Sequence, residues 1–470
     1  MELAVEKSRE FRSFLNRLTI YCGGTNFLDG YILAAIGPAL VHLEPILQLN
    51  SFWRGAIGAA ALMGILIGGP IFGYLSDKIG RKLPFMIIPL AMAVLSILSM
   101  FVTSAEQLFI IRFLLGLVIG ADYPSVTSYL SEYSPADRRG TMIGCLMIMW
   151  ICGMTLGEVV GYIVYDSAYN WQILLGITAI PALIFMYLRR HCPESPRWLM
   201  NKNRVAEAEK IIHDIYGPHA DVRMLEEKAV KSSYSELLTP RYLKRVIFAG
   251  VFWATQVLPM FAIYIFGPSL LKAIKLSEGR DLLLGNSVIG LIFVAGVIFG
   301  TIIIEKFGRR PLIIWSFVGM AVGLLVFGIV SEPPFWLIVT GFTVYAIASG
   351  PPNVLDWVYP NELFPTEIRA AGVGLATSIS RLGPILGTFA LPSYLEAFGI
   401  QTTMLTMVGI IGIGLLACIF MAPETRGLNL AEASGAVPIG TEEIIEEEID
   451  RKSTRLNSSH SSVSRMPSSA

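Results

Sequence analysis

Apolar residues in this chain are gathered into blocks of about 20, separated by short polar turns. An α-helix rises about 1.5 Å per residue, so one block is long enough to cross the hydrocarbon core of a bilayer, which is about 30 Å thick. Hydrophobic residues make up 54% of the chain and charged residues only 15%, too few to cover a soluble domain of 470 residues. The pattern predicts an all-α membrane protein with twelve transmembrane helices, at about residues 17–41, 53–75, 83–103, 107–130, 141–165, 171–190, 246–271, 283–304, 311–330, 334–359, 371–395 and 400–421.

Lysine and arginine residues indicate the orientation of these helices. The N-terminal tail and the turns after the second, fourth and eighth spans carry several of them, whereas the loops after the third, fifth, ninth and eleventh spans carry none. The loop after the seventh span is an exception, because it contains Lys272, Lys275 and Arg280. The positive-inside rule therefore predicts that both termini and the even-numbered turns lie in the cytoplasm.

The longest polar stretch inside the apolar region, about residues 191–244, separates the sixth span from the seventh. Helical patterns at Val205–Tyr216 and Leu225–Ser232 predict a cytoplasmic linker of short amphipathic helices. The composition of the Ser-rich end, Ser453–Ala470, is typical of disorder and so unlike the rest that no function is assigned to it. The predicted organisation is a cytoplasmic N-terminal tail (1–16), a first bundle (17–190), the linker (191–244), a second bundle (245–428) and a disordered cytoplasmic tail (429–470).

Three turn motifs occur twice in the chain at nearly the same offset. The turn Gly80-Arg81 after the second span matches Gly308-Arg309 after the eighth, an offset of 228. Residues 132–139 match 362–369, and residues 193–197 match 423–426, both at an offset of 230. An even number of spans in each half gives both halves the same orientation. The repeats therefore predict two pseudo-symmetric six-helix bundles with a substrate site between them near the midplane.

The repeated motifs place acidic and basic residues at helix ends on the predicted cytoplasmic side. A carboxylate there can cap a facing helix N-terminus and pair with an arginine, which contributes roughly 0.3–2 kcal/mol per contact. Contacts that form in only one state bias the conformational equilibrium, whereas the alternative is that they are static turn contacts and topology signals. Their repetition in both halves favours a cytoplasmic gate. The candidate gate residues are Asp77, Arg81, Glu132, Arg139, Glu194, Arg197, Glu305, Arg309, Glu362, Arg369, Glu424 and Arg426.

These motifs resemble those of a known transporter class. The pattern Gly-x-x-x-Asp-Lys-x-Gly-Arg-Lys at residues 73–82 resembles the signature of the major facilitator superfamily, and residues 193–198 and 423–427 resemble motifs of its sugar-porter branch. Residues 27–31 and 120–124 look more like those of bacterial metabolite–proton symporters, including phosphate and aromatic-acid carriers. The resemblance covers about residues 15–430. It implies the major facilitator fold, alternating access and a place in the bacterial inner membrane, which agrees with the short first external loop.

Ionisable residues inside the spans are costly in a bilayer and usually face a partner within the bundle. Asp29 lies near the middle of the first span, and Arg112 shares one face of the fourth span with Gly116 and Gly120. Our main hypothesis pairs Asp29 with Arg112, so that their separation lets the buried carboxyl group take up a proton. The resemblance to proton-coupled sugar porters implies a coupling role for this pair; the alternative is a structural ion pair. Asp122, in the same span as Arg112, is the third candidate for proton coupling.

Arg381 indicates the charge of the substrate, because an arginine at mid-span offers a planar fork that suits a carboxylate or phosphate. The alternative is that it balances Asp356 or another internal acid. The resemblance to sugar porters implies that Gln256 and Trp357 contact the substrate, and the tryptophan ring can stack on a sugar. The predicted substrate-binding residues are Glu158, Gln256, Asn353, Asp356, Trp357 and Arg381.

The sequence departs from the neutral-sugar pattern at two of these positions. Phe261 stands where the sugar-porter branch has asparagine, and Asp356 stands where a neutral residue is usual. The aromatic-acid branch has a second aspartate where this sequence has Ile32. These differences place small organic anions first among the candidate substrates, sugar acids second and neutral sugars third.

Other function classes lack their motifs here. The sequence has no P-loop, no His-Glu-x-x-His, no Cys-x-x-Cys and no nucleophile elbow, so neither an enzyme nor a metal or cofactor site is predicted. The formal net charge of +0 gives no reason to expect a nucleic-acid partner. We predict a monomeric secondary transporter that moves a small organic anion, sugar acid or sugar across the inner membrane together with protons. A uniporter of a neutral sugar and a transporter-like nutrient sensor are the alternatives.

Overall fold

The structure is a computed structural model that describes residues 9–133, 139–216, 237–274, 279–330, 333–364 and 368–426. Within these ranges, eleven helical segments are long and apolar enough to cross a membrane. The longest, Gly372–Met421, has 50 residues and as one straight helix would extend about 75 Å, more than twice the hydrocarbon thickness. It bends at Gly399, whose φ of +73° lies outside the helical region, so it contains two spans. The predicted all-α fold with twelve spans is confirmed.

Most spans are single helices, but span 1 and span 6 are interrupted. Span 1 consists of Arg9–Ala34 and Ile36–Leu47, and span 6 of Asn170–Gly176 and Ala179–Arg189. The remaining spans are, in order, Ser51–Ile79, Lys82–Ser99, Ala105–Tyr133 and Arg139–Ile163 in the first half, and Pro240–Ala273, Arg280–Phe307, Arg309–Ile329, Phe335–Leu363 and the double span Arg369–Met421 in the second. Because twelve spans separate them, residues 9 and 426 lie on the same face of the bundle. That face is termed the terminal face below, and the other the opposite face.

The described part of the linker between spans 6 and 7 contains two short helices. The first is Pro196–Asn201, which begins after Ser195, whose side chain accepts a hydrogen bond from the backbone N–H of Trp198. The second is Val205–Tyr216, with the boundaries that the sequence predicts. The predicted helix at Leu225–Ser232 lies outside the described residues. Span 7 begins at Pro240 and span 1 at Arg9, so both helices extend several residues beyond their predicted apolar blocks.

Spans 2 and 4 approach each other through glycine residues. A Cβ atom on Gly116 would lie 2.0 Å from the carbonyl oxygen of Ala61, and one on Gly64 would lie 2.2 Å from that of Phe113. Any larger residue would force these two helices apart, because real Cβ contacts are never that short. The predicted glycine stripe of span 4 is therefore confirmed as a helix-packing surface.

The two halves meet at helix breaks near the opposite face. Span 1 is broken at Ala35, and span 7 is non-helical at Phe266 (φ −114°, ψ 16°), which is 231 residues later and thus close to the repeat offset. A Cβ atom on Gly37 would lie 2.7 Å from the carbonyl oxygen of Ile265. The backbones of the two halves are therefore in direct contact next to the breaks.

Among the described residues, two ion pairs connect the halves at the opposite face. Arg54, at the start of span 2, pairs with Glu396 at the end of span 11, and Arg280, at the start of span 8, pairs with Asp166 after span 5 (Nη1–Oδ2, 3.0 Å). The two acids are 230 residues apart, so each half supplies one arginine and one acid at pseudo-equivalent positions. This pairing accounts for Arg280, which is one of the basic residues in the loop after span 7 that the positive-inside pattern did not explain.

Candidate functional site

A cavity of about 430 Å³ lies between the two halves, on the terminal-face side of the bundle. Gly69 of span 2 and Thr127 of span 4 line it from the first half, and Trp357 of span 10 and Arg381 of span 11 line it from the second. An adjoining cavity of about 30 Å³ shares Tyr123, Trp357 and Arg381 with the first. The two cavities therefore meet at these three side chains, between the halves.

Four of the six predicted substrate-binding residues lie at this place. Trp357 and Arg381 line both cavities, and Asn353 and Asp356 line the smaller one. Gln256 is fully buried but lines neither cavity, since span 7 contributes Trp253, Val257 and Met260 instead.

Glu158 also lines neither cavity, although the sequence analysis placed it in the substrate site. It is fully buried nearer the opposite face, five residues before the end of span 5 at Ile163. Glu158 is therefore not brought to the central cavities in this state, and its contact with a substrate stays a prediction. The reason is its depth, because the cavities lie on the terminal-face side of the region where Glu158 is buried.

Aromatic rings from both halves surround Arg381. Its guanidinium carbon is 5.7 Å from the ring centroid of Tyr123 and 5.7 Å from that of Trp253, within the range of a cation–π contact. Trp253 packs edge-on against Trp357 at 5.4 Å, and Tyr123 lies 6.5 Å from Trp357. Sequence reasoning missed Tyr123 and Trp253. Tyr123 directly follows Asp122 in the motif at residues 120–124, so its position next to a candidate proton-coupling residue could have indicated it.

The acid of the second half that interacts with Arg381 is Asp356. It is buried, interacts electrostatically with Arg381, and its Oδ1 atom has no hydrogen-bond partner among the described residues. Asn353, one turn earlier on span 10, donates its amide hydrogen to the backbone oxygen of Ser349 at 2.9 Å. The site thus offers one guanidinium, one incompletely bonded carboxylate and several ring faces, a set that suits a small polar ligand with a planar group.

Two buried carboxylates from the first half lie close to this site. Asp29 of span 1 and Asp122 of span 4 are fully buried and close enough to interact with each other. The cation that they share is Arg189 at the end of span 6, whose Nη1 atom lies 3.9 Å from Oδ1 of Asp122. Two acids and one arginine carry a net charge of −1 when all are ionised, so one proton makes the cluster neutral.

Asp29 and Arg112, which the sequence analysis pairs, are not paired with each other in this structure. Arg112 is buried, and its guanidinium donates hydrogen bonds to the backbone oxygens of Ile32 and Leu33, the latter at 3.5 Å. These oxygens lie in the last turn of the helix that ends at Ala34, where carbonyl groups lack intrahelical partners and the helix dipole attracts a cation. Arg112 therefore binds the free carbonyl groups at the break in span 1 instead of Asp29. The sequence pattern does not show this break.

Arg189 is a functional candidate that sequence reasoning missed. Besides its contact with Asp122, it donates to the backbone oxygen of Tyr21 at 2.5 Å and to Oγ1 of Thr25 at 2.6 Å, and it stacks on the ring of Phe85 at 3.7 Å. In the sequence it is adjacent to Arg190 at the end of a span and looks like one more topology signal. The two arginines differ in burial, because Arg189 is fully buried whereas Arg190 is exposed.

The terminal-face turns of the two halves have the same design. Glu194 accepts hydrogen bonds from the backbone N–H groups of Arg81 (2.8 Å) and Lys82 (3.1 Å), at the start of span 3. Glu424 accepts the equivalent bonds from Arg309 (2.9 Å) and Arg310 (3.1 Å), at the start of span 9. Each glutamate thus caps a helix N-terminus of its own half, as the sequence analysis expected of a carboxylate in these motifs.

A glycine precedes each capped helix because the turn needs it. Gly80 has a φ of +103° and Gly308 a φ of +84°, where side chains are rarely tolerated. A Cβ atom at Gly80 would also lie 2.4 Å from Oε2 of Glu194, and one at Gly308 would lie 3.0 Å from Oε2 of Glu424.

The remaining described gate candidates also make contacts within one half. Arg309 forms a bidentate ion pair with Glu362 (Nη2–Oε1, 3.0 Å), and Thr425 donates its hydroxyl hydrogen to Glu362 at 2.6 Å. Arg426 donates its backbone N–H to Glu424 at 2.9 Å. The side chains of the other six gate candidates lie outside the described residues: Asp77, Glu132, Arg139, Arg197, Glu305 and Arg369.

Backbone donors also change the acidity of the capping carboxylate in the second half. Partial burial raises the pKa of Glu424, but the backbone N–H groups of Arg309, Arg426, Arg310 and Thr425 outweigh burial and lower the pKa below its ordinary value. The carboxylate is therefore held in its charged form, which is the form that caps the helix.

Comparisons with known proteins agree with this architecture. A family described as "Sugar (and other) transporter" matches residues 20–436. The protein YaaU of Escherichia coli (strain K12), described as a metabolite transport protein, is 43% identical over 425 residues, covering 90% of this chain and 96% of YaaU. The inner membrane metabolite transport protein YgcS of the same organism is 33% identical over 421 residues, covering 89% of this chain and 93% of YgcS.

The fold is similar to that of a solved transporter. The xylose transporter XylE from E. coli, in a partially occluded inward open conformation, superimposes with a TM-score of 0.75 at 23% identity, covering 89% of this chain and 100% of that chain. At this identity the likeness concerns the fold, which is that of the major facilitator superfamily.

Proposed function

Because the chain belongs to the sugar (and other) transporter family, we propose that it is a proton symporter that carries a small organic anion by alternating access. The protein is a membrane transporter of metabolites or sugars and not an enzyme. The observation that carries the proposal is the position of Arg381, buried between aromatic rings where the two cavities meet.

The substrate charge is inferred from Arg381 and its surroundings. Guanidinium groups bind planar carboxylates through paired hydrogen bonds, and such bonds are stronger when water is excluded. Tyr123 and Trp253 leave the cation only weakly balanced, and Asp356 is the one acid found to interact with it among the described residues. A carboxylate-bearing substrate completes this balance, and the ring of Trp357 can stack on its flat or apolar part.

Proton coupling is assigned to the carboxylate pair, Asp29 and Asp122, with Arg189 as the cation that holds it. One proton neutralises this cluster, and a charge buried in a membrane protein is costly. Asp122 and Tyr123 are consecutive in span 4, and Tyr123 interacts with both Asp29 and Arg381. A shift of span 4 therefore acts on the carboxylate pair and on the substrate site together. Arg112 serves as a positioning residue for the end of the first helix of span 1.

We assign the terminal face to the cytoplasm, because the basic turns lie there. The larger cavity lies on the terminal-face side, while ion pairs and backbone contacts join the halves at the opposite face. The structure then corresponds to an inward-facing state in the inner membrane, where the relative YgcS is found according to its name.

A ligand screen followed by a flux measurement tests the proposal. Purified protein is heated with single members of three compound classes (aromatic and aliphatic monocarboxylates, sugar acids, neutral sugars), since a ligand present at about 100 times its Kd adds roughly 2.7 kcal/mol of apparent stability. We expect a stabilising carboxylate whose effect is lost in Arg381→Gln. The control is Arg190→Gln, which removes an exposed arginine. Stabilisation by neutral sugars that survives in Arg381→Gln would contradict the anion assignment.

The labelled ligand is then offered to proteoliposomes with an imposed proton gradient. Accumulation above the outside concentration that disappears in Asp122→Asn indicates symport through the carboxylate pair. Equilibration without accumulation indicates the uniporter alternative, and binding without any flux indicates a sensor.

A further inference from the structure

Glu158 is a buried acid that the proposed substrate and proton sites do not use. It is fully buried in span 5, and neither of its carboxylate oxygens has a hydrogen-bond partner within 3.5 Å among the described residues. No described lysine, arginine or histidine interacts with it. An ionised carboxylate in such a place is costly, so the group is held in its neutral, proton-carrying form while its surroundings stay closed.

The polar groups around Glu158 come from three other spans. Tyr31 of span 1, Tyr264 of span 7 and Asn286 of span 8 interact with it, and among the described residues these are the titratable or polar groups found to do so. The hydroxyl of Tyr31 donates to the backbone oxygen of Leu174 at 3.1 Å, and the amide of Asn286 donates to that of Tyr264 at 3.3 Å. The Tyr31 hydrogen is thus already engaged, Asn286 keeps one amide hydrogen toward the carboxyl group, and no described cation interacts with it, so these surroundings suit a neutral carboxyl group that brings its own proton.

Closure of the two halves buries this group. Tyr31 belongs to the first half, whereas Tyr264 and Asn286 belong to the second. One turn before Glu158, Thr155 donates to the backbone oxygen of Gly290 in span 8 at 3.1 Å, directly across the interface between the halves. Separation of spans 5 and 8 at the opposite face would remove the second-half side chains from Glu158 and admit water to it.

We propose that Glu158 is a second proton-binding site, loaded and emptied through the opposite face. In the open state water surrounds the carboxylate, which exchanges a proton with solvent; in the closed state the carboxyl group is neutral and buried against Asn286 and Tyr264. Proton binding at Glu158 therefore stabilises closure of the opposite face. The inference rests on the proposed alternating access, but it is independent of the identity of the substrate and of the role of the carboxylate pair.

A first experiment asks whether Glu158 exchanges a proton at all. Infrared difference spectra of the full-length protein in detergent are recorded while the pH is changed, and the C=O stretching region of protonated carboxyl groups is compared between wild type and Glu158→Gln. No transported ligand is needed. We expect Glu158→Gln, which preserves size and polarity, to lack one titrating C=O band. Identical titrating bands in wild type and variant would overturn the proposal.

A second experiment measures whether this proton is linked to closure. Spin labels at Gln48 and Phe398, exposed residues near the opposite face in different halves, report open and closed populations by their separation. Raising the pH should favour the open form, because the closed form holds more protons. In Glu158→Gln the slope of log(open/closed) against pH should fall by up to one unit, the contribution of one proton.

The matched control for the second experiment is Thr155→Val, on the same face of span 5. This change removes a hydrogen bond across the interface but no titratable group, so it should shift the populations at every pH and leave the slope unchanged. A slope that is equal in wild type and Glu158→Gln would overturn the inference. The proposed symport would stand in that event if Asp122→Asn still abolished accumulation, so the two failures are distinguishable.

Discussion

The pair formed by Arg280 and Asp166 is expected to favour closure of the opposite face. It joins span 8 of the second half to the residue after span 5 of the first, with a distance of 3.0 Å between Nη1 and Oδ2. Opening at that face must separate these two atoms. Replacing Arg280 with glutamate turns the attraction into repulsion, whereas the exchanged double variant, Arg280→Asp with Asp166→Arg, restores a pair of opposite charges.

The magnitude follows from the exposure of the two side chains. Arg280 is 43% exposed and Asp166 70% exposed, so water screens the pair and its contribution falls in the range of about 0.2–1 kcal/mol found for surface ion pairs. Loss of the pair in Arg280→Gln should therefore raise the open-to-closed ratio about 1.4- to 5-fold. In Arg280→Glu the loss of attraction is joined by a repulsion of similar size, so the open-to-closed ratio should rise about 2- to 30-fold. The effect should be smaller in high salt.

The assay is the distance between spin labels at Gln48 and Phe398, measured in lipid at low and at high salt. The matched control is Lys272→Glu, which makes the same change of charge near the same loop at a residue for which the structure shows no ion pair. We expect the control to leave the populations near those of wild type and the exchanged double variant to restore them. Populations that Arg280→Glu leaves unchanged at low salt, or that the exchange fails to restore, would refute the reasoning.

Three further changes test the other contacts. Gly80→Ala should lower the Tm, since its positive φ and the 2.4 Å approach to the capping carboxylate cost about 1–3 kcal/mol, whereas Gly144→Ala, with nothing within 4 Å of its Cβ, should not. Arg189→Gln removes the cation of the carboxylate pair and should destabilise the protein by about 3–5 kcal/mol at neutral pH and by less in acid, while Arg190→Gln should have little effect; equal Tm values for the two variants would contradict the assignment. The lowered pKa of Glu424 stabilises the fold above the ordinary pKa of the group, and this contribution is lost as the pH falls through the lower value of the folded state. A Tm–pH curve of Glu424→Gln should therefore lack that loss at acid pH.

Most of the fold was predictable from the sequence, because helix length and membrane burial are local properties of the chain. The twelve spans, the glycine stripe of span 4 and the helix Val205–Tyr216 all follow from hydrophobic blocks or helical periodicity. The two halves follow from motif offsets, and the cap that Glu194 and Glu424 each provide shows why those motifs repeat. A glutamate that accepts backbone N–H groups at a helix start needs only a defined turn, which neighbouring residues can specify.

The partners of the buried charges in the first half were not predictable, because they depend on how helices break, rotate and approach one another. The sequence shows that Asp29 and Arg112 are charged residues inside spans, but it does not show the break at Ala35 whose free carbonyl groups bind the arginine. Nor does it separate Arg189 from its exposed neighbour, since both end the same apolar block. Hydrophobic length alone determined that this protein spans the membrane twelve times, and the motif offsets determined that the spans form two halves. Only the packing of distant helices decided that Arg189 faces the carboxylate pair and that Glu158 lies beneath the closed face, because each burial requires side chains from more than one span.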